Sequence, residues 1–180
     1  MGIPREPKPV KYFIALLSSE PGLITTVEDA LTTIFGAIDA RSEILSWTAS
    51  TYYETEMGAG LLRRFVSFEP LASPGRLADI KLATQRIEEN YCHKTPSPLG
   101  RRVNLDPGYV ESNKVVLAST KNASQRIYLH SGIYAEATLQ FYDGEFHGSS
   151  YTYPDYVWPK TIAFLSSLRS RYLDQLRRSH

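Results

Sequence analysis

The fold is decided by the stretch VKYFIALLS, which occupies positions Val10–Ser18. Apolar side chains stand on both alternating faces of this stretch, which is typical of a central strand covered on two sides. Residues 1–9 contain three prolines and alternating charges, so we expect an extended arm before the strand. Because the apolar run is too short for a signal peptide or a membrane span, we expect a cytoplasmic protein.

Helix and strand signals alternate after this stretch. Thr25–Glu28 has the pattern of a capping box, and the apolar residues that follow recur at helical spacing until Gly36 can close the helix. Arg41–Thr48 and Leu61–Glu69 are predicted strands. Ser73-Pro74 then predicts the start of a second helix, with the serine as N-cap and the proline in the first position.

The next strand is predicted at Arg102–Asp106, after a loop at 94–100. The element order is then β-α-β-β-α-β, which is the order of a ferredoxin-like half. Further strands are predicted at Lys114–Ser119, Arg126–His130, Ile133–Tyr142 and Glu145–Tyr151. Asp143-Gly144 predicts a hairpin turn, and a last helix begins near Pro159. We therefore expect one α+β domain over residues 1–180, with a mixed or mostly antiparallel sheet, about three helices, a β-hairpin region after the ferredoxin-like half and a C-terminal helix.

Composition excludes several classes of protein. Of the 180 residues, 42% are hydrophobic and 22% are charged, which is typical of a globular domain. The formal net charge of +1 lacks the cationic excess of a non-specific nucleic-acid binder, so nucleic acid is not the expected partner. Cys92 is the single cysteine, which excludes an internal disulfide and a thiolate metal site. A P-loop, a dinucleotide fingerprint and a nucleophile elbow are absent.

Polar side chains that could bind a ligand or take part in catalysis are concentrated in the stretch Arg101–Glu136. Arg102, Asn104 and Asp106 alternate, so all three would project from one face of the predicted strand. Arg102 offers a planar donor fork for a carboxylate or a phosphate, and Asp106 could orient it or hold a metal. The alternative interpretation is that Asp106-Pro107-Gly108 forms an ordinary turn.

A second polar group is expected on the strand pair Arg126–His130 and Ile133–Tyr142. If the apolar residues of both strands face the core, a short odd-numbered loop brings Tyr128 opposite Glu136 and Arg126 diagonal to it. Glu136 would orient Arg126, or act as a base once a ligand excludes water. The alternative is an ordinary surface ion pair beside a tyrosine.

These two groups supply the candidate site residues. Asp106 and Glu136 are the candidate catalytic residues. The side chains expected to bind a ligand are Arg102, Asn104, Tyr109, Lys114, Arg126 and Tyr128. We expect no metal centre, since the four histidines lack metal-ligand spacing, and the residues define no cofactor.

Four stretches are distinctive: Arg102–Tyr109, Arg126–Leu129, Gly132–Glu136 and Thr152–Tyr156. Together with Pro9–Lys11, Tyr52–Glu54, Glu56–Gly58 and Ala78–Lys81, they resemble the bacterial family known as domain of unknown function 4416. The resemblance spans nearly the whole chain. Members are sometimes labelled GTP-binding, but this chain lacks both a P-loop and a guanine-reading Asn-Lys-x-Asp motif. The family pattern has a histidine before Arg-Ile-Tyr, where this chain has Gln125, so the resemblance implies no histidine proton shuttle here.

The favoured function is binding of an anionic small molecule, such as a nucleotide or a phosphorylated metabolite. Whether the chain also transforms this ligand, and so whether it is an enzyme, is open. The hypothesis requires the polar groups to converge in a concave site. The loop Tyr52–Gly60 and the turn Thr152–Tyr156 would cover that site.

Two other functions fit the same residues. The chain could be a non-catalytic interaction module, or a homo-oligomer, that presents an aromatic surface around Tyr52, Tyr53 or Tyr153. The third function is RNA binding, in which Tyr128 and Tyr134 on a sheet face would stack on bases. The near-neutral charge of the chain argues against the third.

Overall fold

A computed structural model describes residues 2–92 and 100–178, and these residues form nine strands and four α-helices. The strands are β1 (Val10–Ser18), β2 (Ile38–Arg41), β3 (Leu45–Ser46), β4 (Leu62–Ala72), β5 (Asn104–Val110), β6 (Lys114–Ser119), β7 (Ile127–Tyr128), β8 (Tyr134–Tyr142) and β9 (Glu145–Gly148). The helices are α1 (Pro21–Phe35), α2 (Glu54–Met57), α3 (Leu77–Asn90) and α4 (Pro159–Arg178). The loop predicted at 94–100 lies almost wholly outside the described residues. None of the helices in the described part of the chain is long and apolar enough to cross a lipid bilayer.

The first half of the sheet is ferredoxin-like. Every residue of β1 is buried, and β1 lies between β4 and β5, as its sequence predicted. The strand order is β2-β4-β1-β5 and all pairings are antiparallel, which is the arrangement of a ferredoxin-like unit. The predicted strand at Arg41–Thr48 is wrong in its bounds, because β2 already ends at Arg41 and only the short β3 follows.

The second half extends the same antiparallel sheet. The order continues as β5-β6-β8-β7, and β9 pairs with β8. Asp143 and Gly144, with φ of 51° and 89°, form the predicted hairpin turn between β8 and β9. The α+β fold class is confirmed, with an antiparallel sheet and one helix more than expected, since α2 is a single turn inside the loop at 52–60.

Helices cover both faces of the sheet. Phe13 and Ala15 of β1 pack in the core that includes α4, whereas Ile14 and Leu16 pack in the core that includes α1. Helix α3 covers the same face as α1. The alternating side chains of β1 therefore fill two cores, which explains why the whole strand is apolar.

Two helix starts were predicted with different success. Ser73 caps the turn before α3 as predicted, and its Oγ accepts a hydrogen bond from the Gly75 amide. The capping box at Thr25–Glu28 is wrong, because α1 begins earlier, at Pro21. Glu28 is not available for capping, since its carboxylate binds Arg41 and Arg64 at 2.7 and 2.8 Å.

A bulge in β8 changes which residues share a face. The adjacent residues Val115–Val116 of β6 pair with Leu139 and Ala137, so Thr138 is an extra residue in β8. Glu136 and Leu139 consequently lie on one face of the sheet. The expectation that the apolar residues of this strand all share a single face is therefore wrong.

β5 and β6 separate soon after they meet. Their ladder has three pairs, from Gly108–Leu117 to Val110–Val115, although β5 begins four residues earlier, at Asn104. Gly108 closes the ladder, and a Cβ at this position would lie 2.7 Å from the Val116 carbonyl oxygen. Beyond this pair the sheet is split, and the gap positions the candidate site.

Candidate functional site

A cavity of about 550 Å³ opens at the split between β5 and β6. Residues of the loop at 47–53 and of the turn at 153–156 cover it. Of the segment Tyr52–Gly60, which was expected to cover the site, Tyr52 and Tyr53 are in the lining and residues 54–60 are not. Its charged lining consists of five cationic side chains and four carboxyl side chains: Arg63, Lys81, Arg101, Lys121, Arg126, Glu88, Asp106, Glu136 and Asp155. The volume is that of a small-molecule site, and the lining is unusually rich in charge for one.

The two predicted polar groups meet at this cavity, but only in part. Asn104 and Asp106 reach it from β5, and Arg126 and Glu136 reach it from the far side of the split. Asp106 pairs with Ala15 of β1, so it shares a sheet face with the α4 core rather than with α1 and α3. Half of the eight candidate residues therefore line one cavity.

Arg102 does not line the cavity. It precedes β5, so the alternation that was expected to align it with Asn104 and Asp106 does not apply. Its Nε donates to Glu20 Oε1 at 2.7 Å, and its Nη2 bonds the other carboxylate oxygen. Arg101 takes the place in the lining that was predicted for Arg102.

Tyr109 and Lys114 also lie away from the cavity. Tyr109 is adjacent to Gly108 in β5, so its ring lies on the face of the sheet that α1 and α3 cover. There it packs edge-on against Tyr12 at 5.7 Å. Lys114 begins β6 at the end remote from the split, and its ammonium group binds Glu111. Both side chains have roles in packing or in a local ion pair.

The register predicted for β7 and β8 is wrong by two residues. Tyr128 pairs with Tyr134 rather than with Glu136, because the turn is centred on Ser131, one residue earlier than the predicted register requires; Ser131 and Gly132 have positive φ. Tyr128 is 58% exposed and does not line the cavity. Ile127 does not face the core either: it is 73% exposed at the edge of the sheet.

The corrected register brings Arg126 beside Glu136. Arg126 Nε donates to Glu136 Oε2 at 2.7 Å, and the two side chains are 6% and 1% exposed. The remaining guanidinium nitrogens donate to the Ser119 hydroxyl, the Lys121 carbonyl and the Tyr153 hydroxyl at 2.7 to 2.9 Å. Arg126 therefore links three segments of the cavity wall, and four of its five N–H donors are used in doing so. Gln125, at the position where the family pattern has histidine, also donates to Glu136, at 3.4 Å.

Asp106 is the carboxylate that faces the cavity most openly. Its side chain is 27% exposed, and it accepts a hydrogen bond from Asn104 Nδ2 at 2.7 Å. Lys81 Nζ and Arg63 Nη1 lie at the longer distances of 3.5 and 3.6 Å. Burial alone would raise the pKa of Asp106, but Lys81, Arg63 and the Asn104 amide together lower it below the ordinary value. Asp106 is therefore ionised and retains lone pairs for a ligand.

Lys81 reaches Asp106 through the split in the sheet. It belongs to α3, which covers the opposite face, and its Nζ donates to the Leu105 carbonyl at 2.8 Å. Glu88, two turns further along α3, accepts a hydrogen bond from the Leu105 amide at 2.6 Å. Burial raises the pKa of Glu88 to about 7, although Lys81 and this amide oppose the rise. Helix α3 thus contributes to the cavity a cation, Lys81, and a carboxyl group, Glu88, whose pKa is close to neutrality.

Arg63 and Asp155 form the most deeply buried pair of the lining. Arg63 Nη2 lies 3.0 Å from Asp155 Oδ2, and the side chains are 4% and 1% exposed. Within the described residues, Arg63 Nε and Nη1 have no hydrogen-bond partner. The guanidinium packs over the Trp47 ring at 4.8 Å. A buried arginine with unused donors is costly in a folded chain, and such groups are common where a ligand binds.

Aromatic rings form the mouth of the cavity. Tyr53 packs edge-on against Trp47 at 6.0 Å and against Tyr52 at 5.1 Å. Lys121 Nζ lies 5.0 Å over the Tyr52 ring. Within the described part of the chain, this ammonium group has no carboxylate partner. The mouth therefore combines flat apolar surfaces with one cation that is free for a ligand.

Sequence reasoning missed Arg63, Lys81, Glu88 and Asp155. Lys81 and Glu88 follow the helical spacing of the buried stripe of α3, so charged residues at apolar positions were the available signal. Arg63 is likewise a charge within a strand that is otherwise mostly apolar. Asp155 lies in the distinctive stretch Thr152–Tyr156, but nothing in that stretch indicated its partner.

The described residues contain no group of three or more histidine, cysteine, aspartate or glutamate side chains that could hold a metal ion. The cavity therefore offers hydrogen bonds, charges and aromatic faces. An ionised Asp106 could accept a proton from a ligand hydroxyl, and the cations around it could stabilise negative charge.

Fold and cavity define an α+β domain in which a ferredoxin-like half is extended by a second antiparallel half, with a charged cavity where the halves part. The chain belongs to the family described as domain of unknown function (DUF4416), whose model matches residues 8–172. No curated protein and no solved structure matches the chain. The family assignment expected from the distinctive stretches is thus confirmed.

Proposed function

We propose that the cavity binds an anionic small molecule, such as a nucleotide or a phosphorylated metabolite. The observation that supports this most directly is the lining, in which five cations face four carboxyl groups. Because the pKa of Glu88 is about 7, this carboxyl group is about half protonated in neutral solution. The five cations outnumber the four carboxyl groups even when all are ionised, and protonation of Glu88 enlarges the excess. A concave site with such an excess attracts anions.

Lys121 is the best candidate to hold the anion. The guanidinium groups of Arg101 and Arg126 are occupied by Glu56 and Glu136, so they have few donors left for a ligand. Lys121 lies at the mouth, where its ammonium group packs over the Tyr52 ring at 5.0 Å. An ammonium group with three rotatable donors is well suited to phosphate oxygens.

If the chain also transforms its ligand, Asp106 is the better candidate for a general base. Its carboxylate is ionised and partly exposed to the cavity, whereas the Glu136 carboxylate is engaged by Arg126, Thr138 and Gln125. Glu136 then acts as a positioning residue through Arg126. A base must lie within hydrogen-bond reach of the proton it takes, and Asp106 meets that requirement for a ligand in the cavity.

A thermal-shift screen tests the proposal. The parent, Lys121→Gln and Lys114→Gln would be melted with nucleotides, phosphorylated metabolites, inorganic phosphate and divalent metals. At a ligand concentration 100 times the Kd, we expect about 2.7 kcal/mol of stabilisation for the parent and for Lys114→Gln, and less for Lys121→Gln. Lys114 is a matched control because it is a lysine outside the cavity. If no anionic probe stabilises the parent, the proposal fails.

A protein interaction is the second candidate, supported by the apolar edge of the sheet. Ile127, Tyr128 and Leu129 are 73%, 58% and 37% exposed on and beside the edge strand β7. An exposed edge strand with adjacent apolar side chains is suited to pairing with another chain, including a second copy. Light scattering on the parent and on Tyr128→Ser would test this, and a monomeric parent that captures no partner counts against it.

RNA binding has the weakest support. Tyr128 and Tyr134 lie edge-to-face at 5.4 Å on the sheet, but the neighbouring Arg126 is bound by Glu136 and uses four of its five N–H donors within the protein. Filter binding at low salt would test it, since a phosphate-binding surface retains RNA most strongly under those conditions. Absence of retention would dismiss this function.

We propose that the protein acts in the bacterial cytoplasm. The low cysteine content supports this location, because small domains of oxidising compartments are commonly stabilised by several disulfides, and this sequence has one cysteine. Fractionation of cells that express a tagged chain would test it, and recovery from the periplasm or medium would contradict it.

A further inference from the structure

We infer that the anionic ligand is a phosphate ester that carries adjacent hydroxyl groups at its other end, and that Asp106 binds those hydroxyls. This inference rests on the proposed function and names the class of ligand for the same cavity. It arises from a contrast between two parts of the cavity. Lys121 is a cation at the mouth, whereas Asp106 is an ionised carboxylate in the part lined by Arg63, Lys81 and Asn104, here called the floor.

The floor around Asp106 selects hydrogen-bond donors. Asp106 has one hydrogen bond shorter than 3 Å, from Asn104, while Lys81 and Arg63 remain at 3.5 and 3.6 Å. Its oxygens therefore have unused lone pairs on the exposed side. A phosphate group carries no donor to spare and would be repelled by this carboxylate, so the phosphate belongs elsewhere in the cavity.

The neighbours of Asp106 favour ligand groups that can also accept hydrogen bonds. Lys81 uses two of its three donors, on the Leu105 carbonyl and on Asp106, and Arg63 Nη1 has no hydrogen-bond partner within the described residues. A hydroxyl group is both donor and acceptor, so it can donate to Asp106 and accept from Lys81 or Arg63 at once. Two adjacent hydroxyls would occupy both carboxylate oxygens.

The mouth of the cavity completes the match. Trp47 and Tyr53 supply apolar faces on which the carbon face of a sugar ring can pack, and Lys121 supplies the free cation. The volume of about 550 Å³ accommodates a sugar phosphate. A ligand of this class places its phosphate at the mouth and its hydroxyls at the floor.

Calorimetric titration of the parent with matched probes tests the inference. The probes are ribose 5-phosphate and its 2-deoxy counterpart, in which no two hydroxyls are adjacent, together with inorganic phosphate. We expect ribose 5-phosphate to bind roughly ten- to a hundredfold more tightly than its 2-deoxy counterpart and than inorganic phosphate, because the missing hydroxyl leaves charged partners unpaired.

The variant Asp106→Asn has the same shape and is expected to lose this preference while it still binds phosphate. Its melting temperature without ligand shows whether it folds, and the comparison of probes on the parent stands without it. If ribose 5-phosphate, its 2-deoxy counterpart and inorganic phosphate bind the parent equally, the inference is overturned and the proposed function survives. If no phosphate-bearing probe binds, both are overturned.

Discussion

Arg63 and Asp155 form an ion pair of 3.0 Å between β4 and the turn at Pro154–Tyr156, and neither side chain is more than 4% exposed. Burial raises the pKa of Asp155, and the charge of Arg63 opposes that rise. The pair holds the turn that covers the cavity onto the sheet. Its strength therefore determines whether the cavity keeps its shape.

Replacing Asp155 with alanine is expected to destabilise the fold by about 3–5 kcal/mol, because the buried Arg63 then has no full counter-charge. Urea unfolding of parent and variant measures the loss. Glu43→Ala is the matched control: its ion pair with Lys160 is more than half exposed on both sides and should contribute less than about 1 kcal/mol. Equal losses for the two variants would contradict this account of the pair.

Gly108→Ala is expected to cost about 1–3 kcal/mol, since overpacking is destabilising. A Cβ at this position would lie 2.6 Å from Leu117 Cδ2 and 2.7 Å from the Val116 carbonyl oxygen, and the carbonyl cannot move without the ladder. Gly22→Ala serves as control because nothing lies within 4 Å of its added Cβ. Thermal melts compare the two, and a neutral Gly108→Ala would show that β5 and β6 can part further at little cost.

Glu88 should make stability depend on pH near neutrality. Its folded pKa of about 7 exceeds the ordinary value of 4.5, so the folded state binds the proton more tightly than the unfolded chain. The contribution of this group to stability is then fully present below pH 4.5 and is lost as the pH rises through 7, by an amount on the order of 3 kcal/mol.

The variant Glu88→Gln keeps an acceptor for the Leu105 amide and removes the titration. We expect its free energy of unfolding, measured from pH 5 to pH 8, to vary less than that of the parent. Glu89→Gln, on the exposed side of the same helix, should follow the parent curve. Parallel curves for the parent and Glu88→Gln would show that Glu88 titrates normally.

Trp47 should report binding by a change in fluorescence. It lines the cavity, whereas Trp158, the second tryptophan, packs against it at 6.0 Å without lining the cavity. A phosphorylated ligand that packs on the Trp47 ring would change the emission of the parent and of Trp158→Phe. The signal should disappear in Trp47→Phe, and a signal that persists there would indicate binding at another place.

Local signals in the sequence predicted the elements that depend on neighbouring residues. The apolar β1, the Ser73 cap, the Asp143-Gly144 turn and the start of α4 at Pro159 all have short-range causes, and the structure contains them. The bulge at Thr138 was not predictable in this way. It depends on how β6 and β8 align over many residues, and a single unpaired residue leaves the alternating pattern of the sequence almost unchanged.

The candidate site was found only in part. Asp106 and Glu136 were identified because polar residues cluster around them in sequence, and both line the cavity. Arg63 and Lys81 come from distant segments, and only tertiary packing brings them to Asp106. Arg102 was misassigned because β5 begins two residues later than its sequence pattern indicated.

The separation of β5 and β6 has a consequence for how this family can diversify. The cavity exists because the backbones of β5 and β6 separate, so its volume depends on the backbone and not on any single side chain. Wall side chains other than Arg63, Arg126 and Asp155, which hold the wall together, can therefore be exchanged without filling or collapsing the cavity, in contrast to a pocket within a packed core. One scaffold can thus serve relatives with different ligands, and specificity among them is expected to follow the residues at the positions of Lys81, Asp106 and Lys121.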